Sequence, residues 1–445
     1  MKLNKYINNI SGLQISQLIR FVTLFLIGVI FTKTQLTTAD IGAYEKLLFI
    51  ASAVSFFWIS GLTQSFLPLY GNNKTFKKSR EANNNEKSPE FFNAFLLITF
   101  FSFCAFVFVL IFKTYLSQLL NNSQPIKHFN LLLIYILINN PSYFIYYFYL
   151  LKNKPKQTIQ YSIISFSLQL TFVALPSIFG YGIEYCLWGL ILISALRTIW
   201  LLFLLSRYAK FTFSLKFIKE HIHLAYPLIL SSLLSGSAKY IDGFLVTYYF
   251  DSAKFAIFQY GAREFPLVVI LANAFSNAMI PEFSGGVNLN SSLNMIKNKS
   301  KQFMHFLFPL TIVLLFVSTW LYPIVFNKNF VESAYIFNIY LLLIVSRMIF
   351  PQTILIGIKR SKIILSGSVL EIIINASLSI LFINLWGIVG VAIATVVAYF
   401  FEKIFLVAFV YKKLNILPTQ YIPVKLHIVY SFLTFLAYFV VVSYL

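Results

Sequence analysis

Residues 91–112, FFNAFLLITFFSFCAFVFVLIF, hold no charged side chain over a length that suits one crossing of a bilayer. A spanning helix needs about 20 mostly apolar residues. Twelve further stretches of this kind occur, at 11–32, 41–69, 129–151, 158–179, 184–205, 224–249, 255–280, 303–325, 333–356, 363–383, 386–410 and 426–445. They predict an all-α polytopic membrane protein with about 13 transmembrane helices, because membrane β-strands would be shorter and would alternate in polarity. The composition, 59% apolar and 11% charged, excludes a water-soluble globular protein.

The charge of the chain lies mainly in its connecting loops. The sequence has 35 Lys and Arg against 14 Asp and Glu, a formal net charge of +21. Most of the basic residues fall in the loops of one membrane side, which the positive-inside rule assigns to the cytoplasm together with the amino terminus. We therefore expect a multi-pass protein of a bacterial inner membrane that contacts anionic lipids. The basic excess needs no nucleic acid to explain it.

Two stretches half a chain apart follow one pattern. Residues 150–156, LLKNKPK, lead into Thr158, Ser162, Ser165 and Gln169, and residues 356–362, IGIKRSK, lead into Ile364, Ser368, Glu371 and Asn375. Three of the four polar positions coincide at one offset. Spans 1–6 and 7–12 thus form two copies of a six-helix bundle, related by an axis along the membrane normal. The predicted domains are an N-terminal lobe at 1–210, a C-terminal lobe at 211–412 and an accessory C-terminal helix at 413–445.

Charged side chains inside the apolar segments are the candidates for function. A charge at the bilayer centre costs about 2.5–3.5 kcal/mol and usually faces a wet cavity or a partner. At 100° per residue, the polar side chains of span 7 share one face: Ser231, Ser232, Ser235, Lys239 and Asp242. The polar face of span 8 holds Gln259, Arg263, Pro266, Asn273 and Asn277, whereas Glu264 points away. Arg20, Glu45 and Glu371 lie on the polar faces of spans 1, 2 and 11.

Each of these residues also has a structural interpretation. Lys239 and Asp242 are three residues apart on a helix and can neutralise each other. Arg263 can snorkel to the headgroups, and for Arg347 and Arg197 both snorkelling and a cavity remain open. Arg20 lies close to mid-span and cannot readily snorkel. Pro266 predicts an opening of the helix in span 8.

The sequence resembles the Wzx-type oligosaccharide flippases of the multidrug/oligosaccharidyl-lipid/polysaccharide exporter superfamily. The resemblance rests on the two six-helix halves, on residues 38–46, TADIGAYEK, at the start of span 2, on Asp242, and on residues 385–395, LWGIVGVAIAT, at the start of span 12. It implies a MATE-like fold of two lobes in a V that alternates between inward-open and outward-open states. The implied substrate is a polyprenyl-diphosphate-linked oligosaccharide, moved to the periplasmic leaflet as in O-antigen and lipopolysaccharide synthesis. The implied partners are a polysaccharide polymerase and a chain-length regulator.

The same resemblance assigns roles to the charged residues. The substrate-binding candidates are Arg20, Lys239, Arg263, Gln259, Asn273 and Asn277, with the three cations for the diphosphate or for acidic sugars. The candidates for coupling or gating are Asp242, Glu45, Glu371 and Arg347. We expect no catalytic residue, no metal and no cofactor, although coupling to H⁺ or Na⁺ is an open possibility. The protein is then a transporter and not an enzyme.

Three alternatives remain on the sequence alone. A lipid II flippase is similar but usually has fourteen spans. A MATE-type drug/cation antiporter would share the fold, with acidic rather than cationic groups in its cleft. An O-antigen polymerase would need a sizeable periplasmic loop with catalytic residues, and no connection outside the predicted membrane segments is long enough for one.

Overall fold

The protein consists almost entirely of helices. The computed structural model describes residues 9–72, 87–120, 126–284, 289–358 and 360–444, and no strand occurs within those ranges. The helices are α1 (Asn9–Thr32), α2 (Thr38–Ala53), α3 (Phe56–Asn72), α4 (Pro89–Ile111), α5 (Lys113–Leu120), α6 (Phe129–Ser142), α7 (Phe144–Leu151), α8 (Pro155–Ile178), α9 (Ile183–Tyr208), α10 (Leu215–Tyr249), α11 (Ser252–Gly261), α12 (Pro266–Ser284), α13 (Leu289–Val325), α14 (Val331–Leu341), α15 (Ile344–Arg347), α16 (Pro351–Gly357), α17 (Ser361–Leu414), α18 (Pro418–Tyr421) and α19 (Val424–Tyr444). A 3₁₀ turn, Lys328–Phe330, precedes α14.

Nine helical segments of the described chain are long and apolar enough to cross a membrane, and eleven if each of two bent pairs is one span. The predicted class, a polytopic all-α membrane protein, is confirmed, but the count of thirteen is not. The difference has two sources. The helix α10, predicted as span 7, is not among the nine, and residues 362–414, predicted as spans 11 and 12, count as one segment of 53 residues.

The long helix α17 reverses direction at Gly387. A straight helix of its length would extend about 80 Å at 1.5 Å per residue, more than twice the apolar thickness of a bilayer. Gly387 has φ 59° and ψ −139°, which is not helical. Beyond it the chain returns, because a Cβ atom on Gly367 would lie 3.2 Å from Leu406 Cδ2. Residues 361–386 and 388–414 are thus the two arms of a helical hairpin.

A second hairpin occurs at the corresponding place in the first half of the chain. The helices α8 and α9 pack together and are joined at Gly180, which has φ 81°. A Cβ atom on Gly189 would collide with the carbonyl oxygen of Phe172, and one on Gly390 with that of Phe382. Both hairpins therefore have a positive-φ glycine at the turn and a glycine that lets the two arms approach closely. This correspondence agrees with the repeat expected from the sequence.

Four spans are interrupted, again in corresponding places. Predicted span 2 bends by 46° between α2 and α3, and predicted span 8 bends by 55° between α11 and α12. Helix α12 begins at Pro266, as its fixed φ and missing N–H favour. Predicted span 4 is divided at Tyr143 and predicted span 10 at Leu342 and Leu343. Breaks of this kind expose backbone carbonyl groups and polar side chains inside the membrane.

Local sequence explains where α2 begins. Thr37 Oγ1 accepts a hydrogen bond from the Asp40 amide at 3.1 Å, and Asp40 Oδ2 accepts one from the Thr37 amide at 3.2 Å. This capping box satisfies two donors that the first turn would leave unpaired. Asp40, near the start of the TADIGAYEK stretch, therefore has a structural role as part of the helix cap.

Contacts divide the chain into two compact units. The N-terminal unit is Met1–Gly236 with Asp251–Ala253, and the C-terminal unit is Ser237–Phe250 with Lys254–Leu445. The division falls inside α10, at 236, whereas the predicted lobe boundary is at 210. Helix α10 packs on α3 in its first half, where a Cβ atom on Gly61 would collide with Ile229. Helix α19, the predicted accessory helix, lies within the C-terminal unit.

Each unit has an apolar core of its own. In the N-terminal unit the rings of Phe91 and Phe148 stack 4.0 Å apart, next to Phe66 and Phe144. In the C-terminal unit the rings of Phe308 and Tyr430 stack at 5.2 Å and attach α19 to α13. Burial of such aromatic side chains dominates the packing energy of a core.

Candidate functional site

Arg20 lies beside the break of the fourth predicted span. It occupies the middle of α1, and its guanidinium carbon is 5.8 Å from the centre of the Tyr143 ring. Tyr143 is the residue that separates α6 from α7. Tyr135 and Tyr146 are also within electrostatic range of Arg20. The guanidinium of Arg20 therefore lies among aromatic rings.

Arg197 on α9 reaches the same group of tyrosines. Its Nε donates to Ser165 Oγ at 2.6 Å and its Nη2 donates to Gln169 Oε1 at 2.6 Å. The guanidinium also lies over the Phe166 ring at 5.1 Å. All three partners are on α8, so the hairpin of α8 and α9 fixes the position of this side chain.

The two arginines share their surroundings. Arg20 and Arg197 are both within electrostatic range of Tyr135, Tyr143 and Tyr146. Neither forms an ion pair with any residue that the structure describes. We call these two arginines and three tyrosines the arginine–tyrosine cluster.

Two asparagines at the end of α6, next to this cluster, form hydrogen bonds to side chains of neighbouring segments. Asn140 Nδ2 donates to Ser55 Oγ at 2.9 Å, and Ser55 stands in the break between α2 and α3. Ser194 Oγ donates to Asn139 Oδ1 at 3.3 Å. These buried hydrogen bonds join two broken spans and α9, so the polar groups released by the breaks are satisfied within the unit.

The buried carboxylate of the C-terminal unit is Asp242 on α10, which is 5% exposed. It accepts hydrogen bonds from Thr395 Oγ1 at 2.5 Å, from Asn375 Nδ2 at 3.0 Å and from Tyr340 Oη at 3.1 Å. The donors come from both arms of α17 and from α14. Ser379 in turn donates to Asn375 Oδ1 at 2.9 Å. Three donors from different helical segments stabilise this buried carboxylate and fix its position.

Arg347 and Glu264 form a bidentate ion pair. Arg347 Nη2 lies 2.7 Å from Glu264 Oε1, and Arg347 Nε lies 2.8 Å from Glu264 Oε2. The guanidinium also lies 5.1 Å from the centre of the Tyr399 ring. Glu264 stands in the non-helical stretch between α11 and α12. For Arg347 the sequence left open whether the side chain snorkels or faces a cavity. The structure holds it in a specific ion pair, so it does not snorkel.

A second charged group lies on the hairpin α17. Lys403 Nζ is 3.8 Å from Glu402 Oε2, and both side chains are buried. Glu371, on the opposite arm, is 6% exposed and within electrostatic range of both. The described cations Arg347 and Lys403 thus each have a carboxylate partner, unlike the two arginines of the N-terminal unit.

The other predicted residues are placed as follows. Arg263 is half-buried, donates from Nε to the Gln259 carbonyl at 3.2 Å and lies over the Tyr260 ring at 5.0 Å. Asn273 is exposed on α12, and Glu45 is half-buried on α2. The side chains of Lys239 and Asn277 lie outside the described residues.

The structure unites some of these candidates and separates others. Asp242, Arg347 and Glu371 lie in the C-terminal unit, as do Gln259, Arg263 and Asn273, whereas Arg20 and Glu45 lie in the N-terminal unit. The unbroken helix on which the common polar face of Gln259, Arg263 and Asn273 was predicted is interrupted, because Gln259 belongs to α11 and Asn273 to α12, at an angle of 55°. The mutual neutralisation proposed for Lys239 and Asp242 is not tested.

Sequence reasoning left Arg197 open between snorkelling and a cavity, and it did not select Tyr143 or Lys403 as functional residues. A signal existed for each. Arg197 and Lys403 lie the same distance after Ser165 and Glu371, two positions already matched by the repeat. Tyr143 follows Asn139, Asn140 and Pro141, a polar and helix-breaking group within an apolar span.

Comparison with known proteins agrees with this architecture. Residues 36–335 match the model of a family described as polysaccharide biosynthesis protein. No curated protein matches the sequence. Solved structures with a similar fold include a lipid II flippase MurJ in an inward closed conformation, with a TM-score of 0.71 and 18% identity over 96% of this chain and 91% of that one.

Two further structures share the fold at lower similarity. A multidrug resistance MATE family transporter of the MOP superfamily has a TM-score of 0.63 and 12% identity, over 92% of this chain and 98% of that one. A MOP superfamily transporter from Pyrococcus furiosus has a TM-score of 0.54 and 12% identity, over 91% and 93%. The fold is therefore of the MATE and MurJ type, and the family match covers most of the chain. The chain belongs to the polysaccharide biosynthesis protein family.

Proposed function

We propose that this protein is a flippase that carries a polyprenyl-diphosphate-linked oligosaccharide from the cytoplasmic to the periplasmic leaflet of a bacterial inner membrane. The single observation that supports this most is the arginine–tyrosine cluster. Two guanidinium groups at the middle of membrane-spanning helices have no carboxylate partner among the described residues. A charge at such a depth costs free energy unless an opposite charge lies near it, so an anionic ligand would stabilise these two arginines.

The chemistry of the cluster suits a diphosphate. Arginine presents a planar fork of N–H donors that matches phosphate oxygens. Arg197 uses only part of its donors on Ser165 and Gln169, and the Arg20 guanidinium lies 5.8 Å from the centre of the Tyr143 ring. Hydrogen bonds to Ser165 and Gln169 also fix the guanidinium before a ligand arrives, which lowers the entropy lost on binding.

Tyrosines around the arginines suit the sugar part of such a ligand. Their rings offer flat apolar faces and their hydroxyl groups can donate or accept hydrogen bonds. The polyprenyl tail can stay in lipid throughout, since it is as apolar as the membrane. Transport by alternating access then needs no bond to form or break, and we infer that the protein is a transporter that works beside a polysaccharide polymerase and a chain-length regulator.

The C-terminal unit has the features of a coupling device. Asp242 collects donors from three helical segments, so a change in its charge alters contacts to α14 and to both arms of α17. We propose that binding of H⁺ or Na⁺ at Asp242 drives the transport cycle. Proteoliposomes with a defined sodium or proton gradient test this, because Asp242→Asn should remove gradient dependence while the protein still inserts. Full gradient dependence in Asp242→Asn would contradict it.

Two of the solved structures with a similar fold suggest alternative functions for this protein. The concentration of carboxylates in the C-terminal unit favours a cation antiporter as the second candidate. Efflux of a cationic dye under a sodium or proton gradient would support that function. Lipid II is a further candidate substrate, and growth of a strain depleted of its own lipid II flippase would reveal it.

The decisive experiment follows the orientation of the lipid-linked oligosaccharide. On depletion of the protein, the oligosaccharide should accumulate in the cytoplasmic leaflet, out of reach of a lectin or glycosidase added to the periplasmic side. Accumulation of single repeat units in the periplasmic leaflet would instead indicate a polymerase and would overturn the proposal.

A further inference from the structure

Three cationic side chains converge on one tyrosine ring at the end of α9. The centre of the Tyr208 ring is 5.1 Å from Lys154 Nζ, 5.3 Å from Lys152 Nζ and 5.5 Å from Arg207 Cζ. Lys154 Nζ also donates to Tyr208 Oη at 2.8 Å. Lys152 lies in addition 5.7 Å from the ring centre of Phe91. All these residues belong to the N-terminal unit, and none is part of the arginine–tyrosine cluster.

Backbone contacts hold this group in place. Ser88 and Ala209 form an isolated parallel bridge, in which the Ser88 amide donates to the Tyr208 carbonyl at 2.9 Å and the Lys210 amide donates to the Ser88 carbonyl at 3.0 Å. The turn from α7 to α8 is fixed at Asn153, which has φ 52°. Tyr208 is thereby buried, and the hydrogen bond from Lys154 holds that side chain against the edge of its ring.

The three cations surround a single neutral ring. Like charges that share one ring repel each other, and a neutral tyrosine compensates only part of that repulsion. Neither Lys154 nor Arg207 forms an ion pair within the described part of the chain. The first turn of the 24-residue helix α8 adds N–H groups and the positive end of its dipole beside Lys154. An anion placed here would gain from all of these contributions.

The position identifies the kind of anion. Lys152, Lys154 and Arg207 stand at the ends of apolar helices, on the membrane side that carries most of the basic loop residues. The anions that are abundant at this depth are lipid phosphates. We propose that Lys152, Lys154 and Arg207, arranged around Tyr208, form a binding site for the phosphate headgroup of an anionic phospholipid in the cytoplasmic leaflet. The site is separate from the proposed transport path and does not depend on it.

Binding of phosphatidylglycerol to the full-length protein in phosphatidylcholine nanodiscs tests this site. The variant Lys152→Gln/Lys154→Gln/Arg207→Gln should bind it about a hundredfold more weakly, at roughly fivefold for each cation removed. The matched control Lys297→Gln/Lys299→Gln/Lys301→Gln removes three cations of the same predicted membrane side, from α13, and should lose no more than about fivefold. Equal losses in both variants would show a general charge effect and overturn the proposal.

Two further measurements keep the result interpretable. Tyr208→Phe retains the ring but removes the hydroxyl that holds Lys154, and a several-fold loss of phosphatidylglycerol binding is expected with an unchanged melting temperature. Unchanged binding in this variant would contradict the geometry. Inorganic diphosphate is then added as a competitor. Failure to displace phosphatidylglycerol supports a phospholipid site, whereas displacement at micromolar concentration would reassign it to the diphosphate of a lipid-linked substrate.

Discussion

Arg197 donates a hydrogen bond to Ser165 across 32 residues of chain, and Lys403 lies the same number of residues after Glu371 in the second hairpin. In the first hairpin the cation meets a neutral hydroxyl, whereas in the second it lies close to carboxylates. The two hairpins therefore have the same layout and opposite electrostatic character. The guanidinium of the N-terminal hairpin has no carboxylate partner among the described residues, whereas the ammonium of the C-terminal hairpin lies 3.8 Å from Glu402.

Replacement of Arg197 tests the arginine–tyrosine cluster. Arg197→Ala should lower transport of lipid-linked oligosaccharide by about tenfold or more, because a charge-assisted hydrogen bond contributes about 1.5–3 kcal/mol. Arg197→Lys should recover only part of the activity, since lysine keeps the charge but not the fork. Surface glycan at matched membrane levels is the measurement, with Lys412→Ala as control. Normal glycan in Arg197→Ala would exclude a role in transport.

A new carboxylate at Ser165 should neutralise the cluster from within. Ser165→Glu places an acid within reach of the Arg197 guanidinium, as Glu371 does near Lys403. We expect a stable protein with strongly reduced transport, because the internal carboxylate competes with the substrate phosphate. Ser165→Gln is the neutral control and should retain most of the activity. Equal activity of the two variants would contradict this interpretation.

The ion pair of Arg347 and Glu264 should show strong coupling in a double-mutant cycle. Either single change, Arg347→Met or Glu264→Leu, leaves a half-buried charge without its partner and should destabilise the protein by about 3–5 kcal/mol. The double variant should be much closer to wild type. Thermal unfolding in detergent measures all four proteins, and simple additivity of the two single effects would show that the pair is not formed.

Gly387 should tolerate no side chain. Its φ of 59° and ψ of −139° belong to a region that other residues rarely occupy, at a cost of about 1–3 kcal/mol. Gly387→Ala is therefore expected to lower the melting temperature. Gly182→Ala is a matched control, since a Cβ atom there would meet nothing within 4 Å. The same loss in both variants would mean that the turn at Gly387 is not strained.

Membrane topology can be measured with reporter fusions. Fusions after Tyr70, Lys154, Lys216, Lys299 and Lys362 should all report cytoplasm, whereas a fusion after Leu385, at the turn of α17, should report the opposite side. This result would support two spans in α17 and the predicted orientation. A cytoplasmic signal after Leu385, or a periplasmic signal at any other site, would disprove the predicted topology.

The sequence was sufficient for the class of fold and for several single residues. Apolar length alone identified the membrane helices. Pro266 was correctly expected to interrupt span 8, because its ring and missing N–H do not fit a helix interior. Asp242 was singled out as a costly intramembrane charge, but its three donors lie on residues 98 to 153 positions further along the chain. No helical pattern can predict such contacts.

Where the helix is broken, the helical wheel fails. The angle of 100° per residue that was used to orient Glu264 assumes an unbroken helix, whereas residues 262–265 are not helical. Glu264 can therefore turn toward Arg347. For Arg197, a wheel of α9 could not reveal Ser165 and Gln169 on α8, although the repeat pointed to that pair of helices. One of the two differences in the count of spans lies in α17, where the positive-φ residue Gly387 reverses the chain inside a single apolar stretch.

The matched hairpins at Gly180 and Gly387 have an evolutionary consequence. If one ancestral gene was copied and joined to itself, each hairpin began with the same residues and was afterwards free to change alone. The position of Ser165 in the first hairpin corresponds to that of Glu371 in the second. One copy could therefore acquire a carboxylate while the other kept a hydroxyl. Duplication thus allowed the cation of one hairpin to keep a hydroxyl partner while the cation of the other came to lie beside carboxylates, two environments that a single hairpin could not have combined.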